Sequence, residues 1–169
     1  EVDVEEYKDE NHDTSTSHKS SHDTKSLIIK SPVEGLMKPL TEVPDQVFSE
    51  KMMGDGFAII PESGKVIAPF DGTVATDFPT RHALGIQSDE HNIEMLIHVG
   101  IDTVKMNGEG FEVNVKTGDS FKAGDVLMTF DIDQINTQAK DIITPVVFTN
   151  LGHNNLSLNH LNESVKTSD

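Results

Sequence analysis

Residues 93–104 read IEMLIHVGIDTV, an apolar run that contains one histidine, His98. In a β-strand successive side chains point to opposite faces, so this run separates into two sets. The first set is uniformly apolar and can pack into a core: Ile93, Met95, Ile97 and Val99. The second set carries the polar groups and faces the other way: Glu94, Leu96, His98, Gly100 and Asp102. The segment therefore predicts a half-buried strand with an imidazole on its outer face.

A second histidine, His82, lies upstream in the segment FPTRHALGI over residues 78–86. The chain contains no cysteine, which excludes disulfides and thiol catalysis within it. Two histidines close to predicted strands indicate imidazole chemistry or a metal site. We expect no required cofactor, although His82 and His98 would supply two nitrogens to a zinc ion if a partner carboxylate supplied a third ligand.

Composition narrows the classes of partner. The 169-residue chain has a formal net charge of −16, which disfavours binding to nucleic acid or to an anionic membrane surface. No apolar stretch approaches the roughly 18–20 residues that span a bilayer, so we expect no direct membrane insertion. The length suffices for one sizeable core and a tail.

The first 26 residues differ from the rest of the chain. They are rich in Asp, Glu, Ser, Thr, His and Lys, and only Val2, Val4 and Tyr7 are apolar. Such a stretch buries too little apolar surface to offset its ordering entropy. We therefore predict a disordered acidic tether over residues 1–26 and a folded domain over residues 27–169. The polar end of that domain, from about residue 152, is expected to be irregular.

Short apolar runs separated by Gly, Pro and Asp follow from residue 27 onward. They predict strands at 27–30, 35–39, 57–61, 65–68, 72–78, 84–88, 93–99, 111–116, 125–131 and 142–149. Only one segment is predicted to be helical, where Asp133 can cap residues 134–140. Many short strands at close spacing predict an all-β fold, an antiparallel β-sandwich or barrel with one short helix.

An internal echo favours a fold built from two related β units. Residues 29–37 and 66–74 both follow the order apolar, any, small, Pro, apolar, acid, Gly. Proline pre-sets φ, and a glycine three residues later permits positive φ, so each copy reads as a strand, a turn and a strand. The alternative, that Pro-x-acid-Gly is simply common turn chemistry, has about equal weight.

Several blocks, in the same order, resemble the glucose-type IIA domain of the bacterial phosphoenolpyruvate-dependent sugar phosphotransferase system. The signature is residues 96–104, LIHVGIDTV. The other similar blocks are residues 43–56, 68–74, 79–83, 108–111 and 144–147. Each block alone is weak evidence for the family, but together the blocks cover roughly residues 27–151 and form a specific match.

The resemblance implies a phosphoryl carrier with an antiparallel β-sandwich fold. By motif position, His98 would accept the phosphoryl group from the phosphohistidine of HPr and donate it to a cysteine of a IIB domain. A neutral imidazole is a competent nucleophile, and phosphoryl transfer depends mainly on positioning and charge stabilisation. His82 is the partner histidine. Thr80 would orient the His82 ring from the same side of an extended strand, and Asp102 fits a supporting or partner-contact role.

The same resemblance places an apolar rim around the histidines, where partner proteins dock. Phe48, Phe78 and Leu96 are the rim residues it implies. The family occurs as free proteins or fused behind membrane-embedded IIC and IIB parts, and the acidic lead without a starting Met favours the fused form. We therefore expect a cytoplasmic domain, tethered through upstream domains to the inner face of the membrane. The sugar would be chosen by the membrane part.

Two other functional classes stay open on the residues alone. A zinc enzyme of the lysostaphin-like peptidase kind has a related β architecture, but neither His-x-His nor a matching His-x-x-x-Asp is present. A biotin- or lipoyl-carrying module is suggested by Met37-Lys38, which resembles a modified lysine in a turn. Pro39 follows where such modules usually have an apolar residue.

Overall fold

The fold was analysed in a computed structural model that describes residues 2–7, 24–90, 92–150, 155–158 and 160–167. The strands are β1 Val2–Tyr7, β2 Thr24–Ile29, β3 Gly35–Pro39, β4 Asp55–Pro61, β5 Lys65–Ile67, β6 Gly72–Asp77, β7 Ala83–Ser88, β8 Glu94–His98, β9 Phe111–Val113, β10 Ser120–Phe121, β11 Val126–Phe130, β12 Thr144–Phe148, β13 Asn155–Leu158 and β14 Ser164–Val165. The helices are α1 Gln46–Ser49 and α2 Ile132–Gln138, and 3₁₀ turns occupy Leu40–Glu42 and Thr103–Met106. In this part of the chain no helix has the length and apolar character needed to cross a membrane.

The strands form three antiparallel sheets. The largest has eight strands in the order β10-β6-β7-β8-β12-β4-β3-β14, and two three-stranded sheets have the orders β5-β11-β9 and β13-β1-β2. Within the described residues the large sheet is open rather than closed into a barrel. The predicted all-β antiparallel sandwich is confirmed, and the barrel alternative is wrong.

The main core lies between the large sheet and the β5-β11-β9 sheet. Its buried side chains come from both layers, among them Phe57, Ile86, Met95 and Ile97 from one and Val66, Phe111, Leu127 and Met128 from the other. The predicted alternation in β8 is confirmed, since Met95 and Ile97 are buried whereas Glu94, Leu96 and His98 are only partly so. This alternation directs the His98 imidazole to the outer face of the large sheet.

A second, smaller core covers part of that outer face. It consists of Leu40, Val43, Phe48, Ala58, Ile101, Ile143 and Val147, with Leu96 packed against it. The chain from the Leu40–Glu42 turn to α1 supplies its outer layer. Because α1 packs there, the phenyl ring of Phe48 is placed against the outer end of β8.

The helices differ from the prediction in two ways. The described residues contain two α-helices rather than one, because the four-residue α1 is too short to show a helical period in the sequence. It begins after Asp45, whose side chain accepts a hydrogen bond from the Val47 N–H at 2.9 Å. The predicted helix exists as α2, but its cap is Asp131 rather than Asp133: the Asp131 carboxylate accepts from the Gln134 N–H at 3.0 Å.

The two echoed segments each lead into a strand, at Gly35 and Gly72, but the reason for glycine differs from the prediction. Neither residue needs a positive φ. A Cβ on Gly35 would lie 2.1 Å from the Ile60 carbonyl oxygen, and one on Gly72 would lie 2.1 Å from that of Gln87. Close approach of the neighbouring strand therefore requires glycine at both positions.

The chain ends differ from the expected tether and irregular tail. Val2–Tyr7 and Thr24–Ile29 pair with each other as strands, and Val2–Tyr7 also pairs with Asn155–Leu158, so these segments are not without secondary structure. Central strands satisfy their backbone groups on both sides, which composition alone does not indicate. Residues 8–23 lie outside the described residues, and a tether there stays a prediction. In the predicted irregular end, Ser164–Val165 pairs with β3.

Candidate active site

His98 is the last residue of β8, and the segment after it sets the state of its ring. Gly100 has φ +76, and its carbonyl oxygen lies 2.8 Å from His98 Nδ1. A carbonyl oxygen can only accept, so in the neutral ring Nδ1 carries the proton and donates it. The lone pair is therefore on Nε2. This arrangement leaves Nε2 as the nucleophilic nitrogen of His98.

Strand pairing brings His82 beside His98. Ala83, the first residue of β7, pairs with His98 of β8, and the Val99 N–H donates to the His82 carbonyl at 2.8 Å. The two imidazole rings lie with centroids 4.8 Å apart at an interplanar angle of 77°. The two histidines singled out in the sequence therefore form one site on the outer face of the large sheet.

Thr80 contacts His82 as predicted, but through a turn rather than an extended strand. Arg81 has φ +63, and its N–H donates to the Phe78 carbonyl at 2.8 Å, which closes the turn. Thr80 Oγ1 lies 2.7 Å from His82 Nδ1. When the hydroxyl donates to Nδ1, the proton of the neutral ring is on Nε2, which can then act as a hydrogen-bond donor.

Two phenylalanines flank the histidine pair. The ring of Phe48 lies 5.0 Å from that of His98, and the ring of Phe78 lies 5.7 Å from that of His82. Phe48 is only 4% exposed, so it supports the His98 ring from below rather than belonging to an accessible rim. The assignment of Phe48 to the rim is therefore wrong, because α1 folds that side chain into the smaller core.

The other two rim residues, Phe78 and Leu96, remain partly exposed. They line a groove of about 210 Å³ together with Met53 and Gly85. Neither histidine lines this groove, but Phe78 connects it to His82 through the ring contact given above. Met53 was not identified from the sequence, although exposed methionines after a helix are a signal for an adaptable contact surface. A larger depression of about 670 Å³ near the start of α2 includes Arg81 but neither histidine.

The charges of two carboxylates affect the pKa of His98. Burial lowers the pKa of His98, and the carboxylates of Asp45 and Asp102 act in the opposite direction. Asp102 is exposed, has φ +63, and forms an ion pair with Lys105 at 3.8 Å. Asp102 thus acts on His98 through its charge. Asp45 was missed in the sequence because its position near His98 depends on where α1 packs.

Both histidines are held neutral at physiological pH. Burial and, second, the neighbouring His98 lower the pKa of His82 to about 4. His82 is 6% exposed, so a proton on it would be poorly solvated. Neutral rings suit a site that must accept and release a group with negative charge, since the nucleophilic lone pair stays available.

The depressed pKa of His82 predicts a stability cost in acid. Because the folded-state pKa of about 4 lies below the unfolded value of about 6.5, the unfolded state binds a proton first as the pH falls. The contribution of His82 to stability should therefore be lost between about pH 6.5 and pH 4, by about 3 kcal/mol. Urea unfolding should show that the free energy of unfolding of the wild type, taken relative to that of His82→Gln, falls by about 3 kcal/mol between about pH 6.5 and pH 4. A difference that stays constant across this range would contradict the prediction.

The described residues contain no group of three His, Cys, Asp or Glu side chains placed to hold a metal ion. His82 and His98 would offer two nitrogens, so a third ligand would have to come from another molecule, and zinc at this site stays a prediction. The peptidase alternative has no three-ligand site in this part of the chain. Lys38 lies within β3 opposite Ala58 rather than at a turn, which argues against a lipoyl- or biotin-type lysine.

Comparison with known proteins gives consistent similarities. The family model for the phosphoenolpyruvate-dependent sugar phosphotransferase system, EIIA 1, matches residues 27–153. The chain is 55% identical over 130 residues to the glucose-specific EIICBA component of the PTS system of Staphylococcus saprophyticus, a match that covers 77% of this chain and 19% of the relative. The chain thus spans about a fifth of that relative's length. The solved structure of glucose permease IIA from Mycoplasma capricolum is similar with a TM-score of 0.70 and 44% identity, over 75% of this chain and 81% of that one.

Proposed function

The chain belongs to the EIIA 1 family of the phosphoenolpyruvate-dependent sugar phosphotransferase system, and we propose that it carries a phosphoryl group on Nε2 of His98. The donor would be the phosphohistidine of HPr, and the acceptor would be a cysteine of a IIB domain. The observation that carries the proposal is the hydrogen bond from His98 Nδ1 to the Gly100 carbonyl, which leaves Nε2 as the nucleophile beside a second imidazole.

The chemistry needs no proton transfer on His98 itself. The Nε2 lone pair attacks phosphorus, the bond from phosphorus to the donor imidazole nitrogen breaks, and that nitrogen keeps the electron pair. Such transfers depend on in-line positioning and on stabilising charge at the phosphoryl oxygens. The imidazolium formed on His98 keeps its proton on Nδ1, which still donates a hydrogen bond to the Gly100 carbonyl. In the onward step the group passes from Nε2 to a thiolate, and His98 returns to the neutral ring.

His82 would stabilise the phosphoryl oxygens. With Thr80 donating to Nδ1, the Nε2–H of the neutral His82 ring can donate to an oxygen of the group held on His98. The low pKa of His82 means that it acts as a neutral donor, so it does not hold the group as tightly as a fixed cation would. That property suits a carrier, which has to release the group again.

The surface around the histidines suits docking of protein partners. Phe78, Leu96 and Met53 line a groove, and α1, which places Phe48 against His98, also carries the exposed Val47. Asp45 and Asp102 add negative charge close to His98. A small apolar patch with acidic residues at its edge favours partners with an apolar contact surface and basic residues around it, which also steer encounter.

The names of the relatives extend the proposal to the assembled transporter. The Staphylococcus relative is a fused EIICBA component, and both relatives named above carry glucose in their names. We infer that the IIB acceptor is joined upstream in the same polypeptide, which holds this domain at the cytoplasmic face of the membrane. Tethering would raise the effective concentration of the acceptor to the order of millimolar. Glucose is the sugar to test first.

A transfer assay tests both the carrier role and the docking surface. Incubated with phosphoenolpyruvate, the general enzyme of the system and HPr, the chain should gain one acid-labile phosphoryl group, read by intact mass. The variant Leu96→Glu should accept the group from HPr about tenfold or more slowly, because a charge in a desolvated anchor position costs one to a few kcal/mol of binding. A wild-type chain that gains a metal or a cofactor adduct instead would contradict the proposal.

Val126→Glu is the matched control for the added charge. Val126 is 37% exposed and lies on β11 in the smaller sheet, away from the histidines. The Val126→Glu variant should accept the phosphoryl group at the wild-type rate. If Leu96→Glu and the wild type accept the phosphoryl group from HPr at equal rates, HPr does not dock on the surface around Leu96.

A further inference from the structure

The peptide unit between Val99 and Gly100 is held at both of its polar groups by threonine hydroxyls. Thr103 Oγ1 donates to the Val99 carbonyl at 2.7 Å. The Gly100 N–H donates to Thr144 Oγ1 at 3.4 Å. Thr103 and Thr144 are both 0% exposed, so water cannot replace either contact without rearrangement.

The next peptide unit contains the carbonyl that accepts the hydrogen bond from His98. The Gly100 carbonyl accepts from His98 Nδ1 at 2.8 Å, and the Ile101 N–H donates to the Asp141 carbonyl at 2.8 Å. The orientation of this carbonyl depends on the backbone angles of Gly100. Glycine resists rotation of its peptide units less than any other residue. The direction of the carbonyl must therefore be held by neighbouring groups.

Both threonines are themselves fixed in place. The Thr144 hydroxyl donates to the Ile142 carbonyl at 3.0 Å while it accepts from Gly100, so both of its functions are used. The Thr103 methyl carbon packs against Gly100, at 2.6 Å from where a Cβ would stand on that residue. One threonine comes from the 3₁₀ turn after His98 and the other from β12, so Gly100 is held between two separate elements.

We propose that Thr103 and Thr144 are positioning residues for phosphoryl transfer: they fix the Val99–Gly100 peptide while the Ile101 N–H fixes the peptide after it, so that the Gly100 carbonyl keeps the His98 proton on Nδ1 and the lone pair on Nε2. The inference rests on the proposed role of His98 as the phosphoryl acceptor. Neither threonine contacts the His98 ring in a hydrogen bond, and both act through Gly100. Without the two hydroxyls, Gly100 is held only through the Ile101 N–H and can rotate more freely. The tautomer with the proton on Nε2 then becomes populated, and that tautomer has no lone pair at the reacting atom.

The test replaces each hydroxyl with a methyl group of similar volume. Thr103→Val and Thr144→Val should each populate the Nε2–H tautomer of His98, observed by nitrogen NMR of the labelled imidazole, and should slow acceptance from phospho-HPr about tenfold. Thr103→Ser and Thr144→Ser keep the hydroxyl and should retain the wild-type tautomer and a rate within about twofold. A loss of packing alone would affect the serine variants as well.

Ser31→Ala is the control for a lost buried hydroxyl. Ser31 is 1% exposed and its hydroxyl donates to the Val33 carbonyl at 2.6 Å, within one turn. This variant should lose stability without any change in the His98 tautomer or the acceptance rate. The proposal is overturned if both valine variants keep the Nδ1–H tautomer and the wild-type rate. It is also overturned if the unaltered protein shows His98 with its proton on Nε2.

The tautomer measurement separates this inference from the proposed function. If His98 is not the acceptor, His98→Ala will still be phosphorylated, while the NMR signals still report whether the threonines set the tautomer. If His98 is the acceptor but the threonines play no part, His98→Ala will be inactive and the valine variants will behave as the wild type.

Discussion

Replacement of His98 with alanine should reduce phosphoryl acceptance to background while the β-sandwich stays folded. The substitution removes Nε2, the atom that would form the bond to phosphorus, and no other described histidine has its geometry beside Gly100. The His98 side chain faces the outer side of the large sheet rather than the main core, so its loss costs one hydrogen bond and the ring contacts with Phe48 and His82. A folded but unlabelled protein is therefore the expected result, measured with label from phosphoenolpyruvate through the general enzyme and HPr.

His160→Ala is the matched control for this prediction. His160 is also a histidine of the described chain, but its Nδ1 lies 3.2 Å from Glu163 Oε1 near the C-terminal end, away from the paired rings. The His160→Ala variant should incorporate as much phosphoryl label as the wild type. Label that survives in His98→Ala would place the phosphoryl group on another residue.

The variant His82→Gln should separate the two half-reactions. It should still accept the phosphoryl group from HPr, because His98 and Gly100 are unchanged. The glutamine amide has an N–H, but it lacks the ring nitrogen Nδ1 that Thr80 contacts, so this donor is not oriented as the imidazole Nε2–H is. Donation to the IIB cysteine should be slowed about 10²–10³-fold, since removing one well-placed donor costs about 2.7–4 kcal/mol of transition-state stabilisation. The physical basis is the ring separation of 4.8 Å, which places His82 beside any group on His98. Rapid quench of each half-reaction measures the two rates independently.

Thr80→Val gives a second, milder test of the same role. It removes the hydroxyl that lies 2.7 Å from His82 Nδ1 but leaves the ring in place. Donation should fall in the same direction and by less, because the ring keeps its position and loses only its preferred tautomer. If instead acceptance fails and donation is normal in His82→Gln, the proposed division of labour between the histidines is wrong.

Local sequence patterns predicted the strands well because a strand records its environment in adjacent residues. The alternation of residues 93–99 gave the correct buried face of β8, and Gly, Pro and Asp marked the turns between strands. The same reasoning failed for α1, Gln46–Ser49, which is a single turn held by the Asp45 cap and by packing. It also failed at the chain ends, where pairing between β1, β2 and β13 depends on distant segments.

In the candidate site, too, some features could be predicted from the sequence and others could not. His82, Thr80, His98 and Asp102 could be named from the sequence, because the resemblance lies in motifs around each of them. Their roles could not be ranked from it. Phe48 was assigned to an accessible rim, whereas it is buried behind His98. Asp102 was expected to support the site or contact a partner; it is exposed, pairs with Lys105, and its charge acts on His98, so that role stays a prediction.

By itself, then, the sequence determined which side chains alternate between core and surface and which residues carry the motifs, because both are recorded in neighbouring positions along the chain. The tertiary structure alone decided that His82 and His98 meet, through the register of β7 and β8. It also decided their chemistry. The low pKa of His82 comes from burial, and the position of the proton on His98 comes from the Gly100 carbonyl. Desolvation and hydrogen-bond direction depend on what surrounds a group in space, and residues distant in sequence supply those surroundings.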